Sequence, residues 1–151
     1  MIVTVTMNPA VDRTVSIESL HRGGLNRIQK AESDAGGKGI NVSKTLKVLG
    51  ADSTATGFLA GTAGKKIEEQ LKIQGIQTDF LWIKGETRTN TKVQEIGGCV
   101  TEFNEPGPEV SEEDRNKLLE KLEDYAGENV LFVLAGSLPR GVPDGFYGEI
   151  I

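Results

Sequence analysis

Gly36, Gly37, Lys38 and Gly39 fall together in "SDAGGKGINVSKTL", residues 33–46, ahead of an apolar-periodic run that contains Asn41. A glycine-lysine pair before a helix is suited to holding phosphate. Backbone without β-carbons approaches an anion closely, and the helix N-terminus offers amides to it. A Walker-type nucleotide loop also needs a Ser or Thr after the lysine, whose hydroxyl reaches magnesium. Here Gly39 follows Lys38, and "GTAGKK" at 61–66 lacks that hydroxyl as well. The dinucleotide fingerprint G-x-G-x-x-G is also absent from the loop. What remains is a turn able to meet a small polar ligand, with Asn41 as both donor and acceptor for hydroxyls. Residue chemistry alone leaves a ligand loop and a structural turn equally open.

Three further positions bear on that choice. Asp12 follows the first strand and its Asn8-Pro9 turn, and a carboxylate there accepts from two sugar hydroxyls or sits in a solvated turn. Arg88, in "GETRTNTKV", offers a forked contact to phosphate or is a solvated loop arginine. Ser137, in "AGSLP", lies just past an apolar run, in a ligand loop or in a sharp turn set by Gly136 and Pro139. His21, the one histidine, reads as a surface residue, and Cys99 reads as a strand residue beside Gly97-Gly98. No Ser-His-Asp set and no cluster of metal ligands stands out.

The elements that must carry these residues follow from periodicity. "IVTVTM" (2–7), "STATGFL" (53–59), "DFLWI" (79–83) and "VLFVL" (130–134) are strand-like, the last as a buried parallel strand. "VDRTVSI" (11–17) and "LNRIQKA" (25–31) alternate as half-exposed strands do. Residues 89–103 form two β-like runs around Gly97-Gly98, a two-residue hairpin signal. Ile40, Val42, Leu46 and Leu49 mark a short helix closed by Gly50, and "KKIEEQLKIQG" (65–75) marks another with a terminal glycine. Ser111 and Asp114 stand at capping-box spacing ahead of Leu118, Leu119 and Leu122. "PDGFYGEII" starts a last helix where the sequence stops, so we expect a truncated chain. Strands alternating with helices imply a layered α/β core with a mainly parallel sheet, and the paired runs imply an antiparallel β lid.

Seventeen Lys plus Arg against 22 Asp plus Glu leave a net charge of −5 over 151 residues, so no broad basic surface for nucleic acid exists. An anionic ligand must be met by a few local cations. One cysteine excludes a disulfide framework, and no apolar run is long enough for a membrane span, so a cytoplasmic protein is expected.

"MNPAVD" (7–12), "AGGKGINVSKTL" (35–46), "GETRTN" (85–90) and "AGSLPRGVP" (135–143), in that order, resemble the ribokinase-like sugar kinases of the PfkB class. The resemblance covers nearly the whole chain as the N-terminal portion of a single kinase domain, with lid strands near 11–31 and 88–104 and the C-terminal half of the fold absent. It implies that Asp12, Gly36, Gly37, Gly39 and Asn41 hold sugar hydroxyls. Lys38, Arg88, Ser137 and Arg27 would hold a phosphate that the sugar already carries. It further implies ATP and Mg2+ as requirements of the whole enzyme and a homodimer formed through the lid. "TRTNTKV" followed by "TEFNEPGP" favours fructose 1-phosphate over tagatose 6-phosphate as acceptor. In the family a later G-A-G-D segment supplies the aspartate base, so no catalytic residue is expected within 1–151 and the fragment alone is expected to be inactive. A non-catalytic sugar-phosphate-binding module and a dimerising structural fragment are the alternatives.

Overall fold

Ile2–Thr6 form β1, five β-branched residues in a row and the strand on which the rest is organised. The computed structural model describes all of residues 1–151. β4 (Thr54–Leu59) lies parallel to β1 on one side, in register from Val3↔Thr54 to Thr6↔Gly57, and β9 (Leu131–Leu134) lies parallel on the other. Two short strands, β5 (Gln77–Thr78) and β6 (Leu81–Trp82), pair in succession along β4. Every pairing in this sheet is parallel.

Alternation along β1 sorts its two faces. Val3 and Val5 join Met7, Phe58, Val110, Leu118, Leu122 and Phe146 in one apolar cluster, under α3 (Glu112–Tyr125) and α4 (Phe146–Ile150). Thr4 and Thr6 point the other way, toward α1 (Lys38–Val48). There the Thr4 and Ser43 hydroxyls lie 2.7 Å apart, and Ser53 Oγ donates to Ser43 Oγ at 2.9 Å, so these buried hydroxyls are satisfied. On the same face Ile40, Ala55, Leu59, Ile67 and Leu71 build a second cluster with α2 (Gly61–Ile73). Helices thus cover both faces of a parallel sheet, as strands alternating with helices require.

The helix ends follow their sequence signals. Ser111 Oγ accepts from Asp114 N–H at 3.1 Å while Asp114 Oδ2 accepts from Ser111 N–H, a complete capping box. α1 and α2 close in Schellman pairs. Gly50 and Ala51 amides return to Lys47 and Leu46 carbonyls, and Gly75 and Ile76 amides return to Lys72 and Leu71. Leu49 lies beyond the α1 stripe and is exposed. α2 begins at Gly61, four residues before its apolar pattern announces it. Ala60 supplies no capping side chain, and Glu86 does so instead, accepting from Ala63 N–H at 2.6 Å. An acidic cap at a helix N-terminus is worth about 1 kcal/mol.

A second sheet has the order β3-β2-β7-β8, from β2 (Ala10–Ile17), β3 (Lys30–Gly36), β7 (Arg88–Glu95) and β8 (Val100–Asn104). β2 with β3 and β7 with β8 are antiparallel, whereas β2 and β7 run parallel and in register from Ala10↔Arg88 to Ile17↔Glu95. The sheet is therefore mixed, not wholly antiparallel.

Five expectations shift in detail. The second lid strand is Lys30–Gly36, not 25–31. Leu25 and Ile28, which drew the alternating reading, stay 76% and 50% exposed, and the pairing partners of Ala10–Ser16 are residues 36 down to 30. The expected glycine loop shrinks accordingly to Gly37, between the end of β3 and the start of α1. The turn at 96–98 is a three-residue hairpin loop, because Glu95 N–H donates to Cys99 O and Gly98 takes φ 88°; Cys99 is exposed beside that turn, outside the strand. β9 pairs with β1 alone and leaves Leu131 60% exposed, so this strand is parallel but not buried. Residues 79–83 contribute only the two residues of β6.

Candidate functional site

β1 ends at Thr6, and the chain then passes Asn8 and turns into β2 beside the C-terminal edge of the parallel sheet. That edge is where open α/β sheets place ligands. Thr6 and Asn8 from β1 and its exit, Ala10 and Asp12 from β2, and Gly37, Lys38 and Asn41 from the β3–α1 junction meet there. Arg88 and Asn90 from β7 and Gly136 and Ser137 from the loop after β9 complete a cavity of about 260 Å3. Ala10 is its one hydrophobic wall residue. Such a lining suits a small, highly hydroxylated or charged ligand, not an apolar one.

The sheet register explains which side chains arrive together. Asp12 faces Asn90 across the parallel β2–β7 pair, and Asn90 Nδ2 donates to Asp12 Oδ1 at 3.3 Å. On its other side Asp12 faces Asp34, whose charge is taken up by Lys44 at 2.8 Å. Asp12 is left as the carboxylate of the cavity. Asn90, two residues after Arg88, necessarily presents to the same face of β7.

The glycines act in different ways. Gly37 takes φ 125°, closed to side chains, and it caps α1 without any side-chain hydrogen bond or acidic residue in the first turn. The α1 N-terminus therefore offers amides and a positive dipole end to the cavity. Gly36 and Gly39 are not wall residues but spacers. A β-carbon on Gly36 would stand 2.0 Å from Asp12 Oδ2, and one on Gly39 would stand 2.8 Å from Val5 O.

Two cations flank the cavity without any carboxylate partner in the molecule's ion pairs: Lys38, first residue of α1, and Arg88, first residue of β7. The Arg88 guanidinium is held by neutral acceptors. Nη2 donates to Asn8 O at 3.0 Å and to Ser137 Oγ at 3.4 Å, and Nη1 donates to Glu105 O at 3.4 Å. Burial pushes its pKa below the ordinary arginine value, and the nearby Asp12 opposes that shift. Arginine remains charged throughout. Tyr147 supports the far wall by donating to Gly136 O at 3.1 Å, and burial raises its phenol pKa. Arg27 lies on the exposed connection between β2 and β3 and is not among the cavity walls.

Four buried side-chain atoms in the molecule lack a hydrogen-bond partner: Thr6 Oγ1, Asn8 Oδ1, Arg88 Nε and Asn90 Oδ1. All four belong to residues that line this cavity. Buried polar atoms are nearly always satisfied, so their concentration here marks the cavity as a place for a polar ligand. Thr6, Asn8 and Asn90 escaped the sequence reading. Asn90 was accessible to it through the period-two spacing from Arg88, while Thr6 and Asn8 carry no local signal beyond following a strand.

No group of three or more His, Cys, Asp or Glu side chains is placed to hold a metal ion, and no helix is long and apolar enough to cross a membrane.

The chain matches the model of the pfkB family carbohydrate kinases over residues 2–151. It is 42% identical over 150 residues to a 1-phosphofructokinase of Bacillus subtilis, covering 99% of this chain and 48% of that protein. A tagatose-6-phosphate kinase of Staphylococcus epidermidis is 36% identical over 151 residues, 100% of this chain and 48% of its own length. The crystal structure of a putative phosphofructokinase from Staphylococcus aureus superposes with a TM-score of 0.92 at 38% identity, covering 99% of this chain and 48% of that one. The chain thus spans about half the length of the relatives it matches.

Proposed function

The chain belongs to the pfkB family of carbohydrate kinases, and we propose that it forms the acceptor-sugar half of a 1-phosphofructokinase. The reaction would transfer the γ-phosphoryl group of ATP to the free primary hydroxyl of fructose 1-phosphate, giving fructose 1,6-bisphosphate and ADP. The observation that carries this reading is the cluster of unsatisfied buried polar atoms around one cavity, flanked by two cations without carboxylate partners. Groups suited to hydroxyls and groups suited to phosphate line one small space.

In this reading Asp12, Asn41 and Asn90 hold sugar hydroxyls, and Gly37 brings the α1 amides close enough to assist. Arg88, Lys38 and Ser137 hold the phosphate already on the sugar. Gly36 and Gly39 act indirectly, by leaving room for the Asp12 carboxylate and for α1 against β1. Arg27 has no part in the cavity of one chain. Fixing the acceptor matters because phosphoryl transfer relies chiefly on positioning and charge neutralisation. ATP supplies the phosphoryl group and Mg2+ neutralises its charge when bound. This chain brings no group of three or more acidic or other metal-ligating side chains together, and no step described for its residues involves the metal. A base for the attacking hydroxyl and the nucleotide site are assigned to the half of the relatives that this chain does not match.

Tagatose-6-phosphate kinase is the second reading, supported by the 36% identical relative. A coupled ADP-release assay with both sugar phosphates tests both readings. The complete enzyme is expected to prefer fructose 1-phosphate, and residues 1–151 alone are expected to give no turnover. Preference for tagatose 6-phosphate would overturn the substrate, and robust sugar-dependent turnover by residues 1–151 would overturn the division of labour.

A cytoplasmic location accords with the use of ATP, and the partner we propose is a second copy of the chain, meeting it through the lid. Phe103, 56% exposed on β8, and Ile96 and Val100 near the β7–β8 turn support that choice. Sedimentation velocity should give a dimer; a monomer at tens of micromolar, with a Phe103→Ser variant sedimenting identically, would contradict it.

A further inference from the structure

We propose that residues 104–108, Asn-Glu-Pro-Gly-Pro, form with Asn8 a strap that positions the Arg88 guanidinium for the phosphate of the sugar. The proposal rests on the sugar-phosphate reading of the cavity, and it assigns a task to residues 105–108, which lie outside the cavity lining, and to Asn8, which also lines it.

β8 ends at Asn104, opposite Asn90, and the chain then turns back across Arg88. Three contacts fasten it there. The Glu105 carbonyl accepts from Arg88 Nη1 at 3.4 Å, Thr89 N–H donates to Glu105 Oε2 at 2.9 Å, and Asn8 Nδ2 donates to Pro106 O at 3.2 Å. Gly107 fits against Asn8 and Arg88 so closely that a β-carbon would stand 2.5 Å from Asn8 Oδ1 and 3.5 Å from Arg88 Cδ, at φ 85°. Beyond it Arg140 Nη2 donates to Gly107 O at 3.4 Å and Val110 N–H donates to Arg140 O at 2.9 Å, which ties the strap to the segment that carries Ser137. Pro106 and Pro108 restrict φ and bring no amide donors to compete for these carbonyls.

The chemistry of the acceptors gives this arrangement its purpose. An arginine side chain has many rotamers, and fixing one costs conformational entropy that a bound phosphate would otherwise have to offset. A carboxylate could fix it but would neutralise the charge needed for the ligand. Here the guanidinium is gripped by the carbonyls of Asn8 and Glu105, while the Glu105 carboxylate is turned to the Thr89 amide. Arg88 is thereby held in place with its charge unpaired. Glu105 and Gly107 are positioning residues that act through Arg88, and Asn8, besides lining the cavity, joins them through its carbonyl on Arg88 and its amide on Pro106.

A double-mutant cycle read by calorimetry with fructose 1-phosphate tests this. Gly107→Ala should weaken binding about 5- to 20-fold when Arg88 is present and less than about twofold when Arg88 is alanine, since residues acting through one group are not additive. Glu105→Gln keeps an oxygen for the Thr89 amide and should restore most of what Glu105→Ala loses. Equal losses in both Arg88 backgrounds, or none, would overturn the strap while leaving the binding site standing. Absence of binding by the unmutated protein would instead remove the sugar-phosphate reading, and the ligand role of the strap with it. Nitrogen-15 relaxation of the Arg88 Nε–Hε group separates the two without ligand. That group should be rigid in the parent and mobile in Asn8→Ala, and unchanged order in the variant would also overturn the strap.

Discussion

Arg88→Ala is expected to weaken fructose 1-phosphate binding by about 10- to 150-fold, because a hydrogen bond to a charged group contributes roughly 1.5–3 kcal/mol and 1.4 kcal/mol is tenfold in affinity. The expectation follows from where the side chain stands. Its guanidinium lies between Asn8 O and Ser137 Oγ at the cavity wall and has no ion-pair partner. Arg88→Lys should recover only part of the loss, since an ammonium keeps the charge but not the planar fork that matches phosphate. Titration calorimetry of the three proteins measures the effect, with thermal unfolding as the control for folding. Arg88→Ala binding as tightly as the parent would remove the phosphate from this end of the cavity.

Gly36→Ala should be the sharper separation of binding from stability. The backbone of Gly36 is an ordinary strand conformation paired with Ala10, and alanine suits a strand at least as well as glycine. Only the side chain of Asp12 stands in its way, with Oδ2 2.0 Å and Cγ 2.5 Å from the new β-carbon. The carboxylate must swing out of the cavity and away from Asn90. Losing one or two charge-assisted hydrogen bonds to sugar hydroxyls should weaken binding by about 100-fold, while stability changes by no more than about 1 kcal/mol. The pair of measurements is again calorimetry and thermal unfolding. Unchanged affinity would show that Asp12 does not hold the sugar, and a large loss of stability would show that Gly36 is a folding constraint.

What the sequence disclosed, and what it withheld, divides along the range of the interactions. Signals confined to a few residues were legible: the Ser111–Asp114 capping box, the glycines that end α1 and α2, and the β-branched run of β1. Of the side chains singled out from the sequence, Asp12, Lys38, Asn41, Arg88 and Ser137 all meet in one cavity. Asn90 and Asn8 were not, because their positions depend on pairings that no local pattern encodes. Asn90 reaches Asp12 across 78 residues of chain through the β2–β7 register, and Asn8 reaches Pro106 across 98. Residues 25–31 misled for a related reason. Alternation predicts a strand only where one face has something to cover, and Leu25 and Ile28 meet solvent. Gly36 and Gly39 were singled out as residues that hold sugar hydroxyls, while the closeness of their surroundings was not visible. The close approach of Asp12 to Gly36 and of Val5 to Gly39 appears only when β2 and β1 are packed against them.

The central claim is that residues 1–151 hold a phosphorylated sugar, with hydroxyls toward Asp12 and phosphate toward Arg88. A calorimetric titration of this chain with fructose 1-phosphate, beside fructose and inorganic phosphate alone, tests it most directly. The account predicts saturable one-to-one binding of fructose 1-phosphate, at least about tenfold tighter than either part, since both ends of the cavity contribute. Equal affinity for fructose 1-phosphate and fructose, or no binding of any of the three, would contradict it.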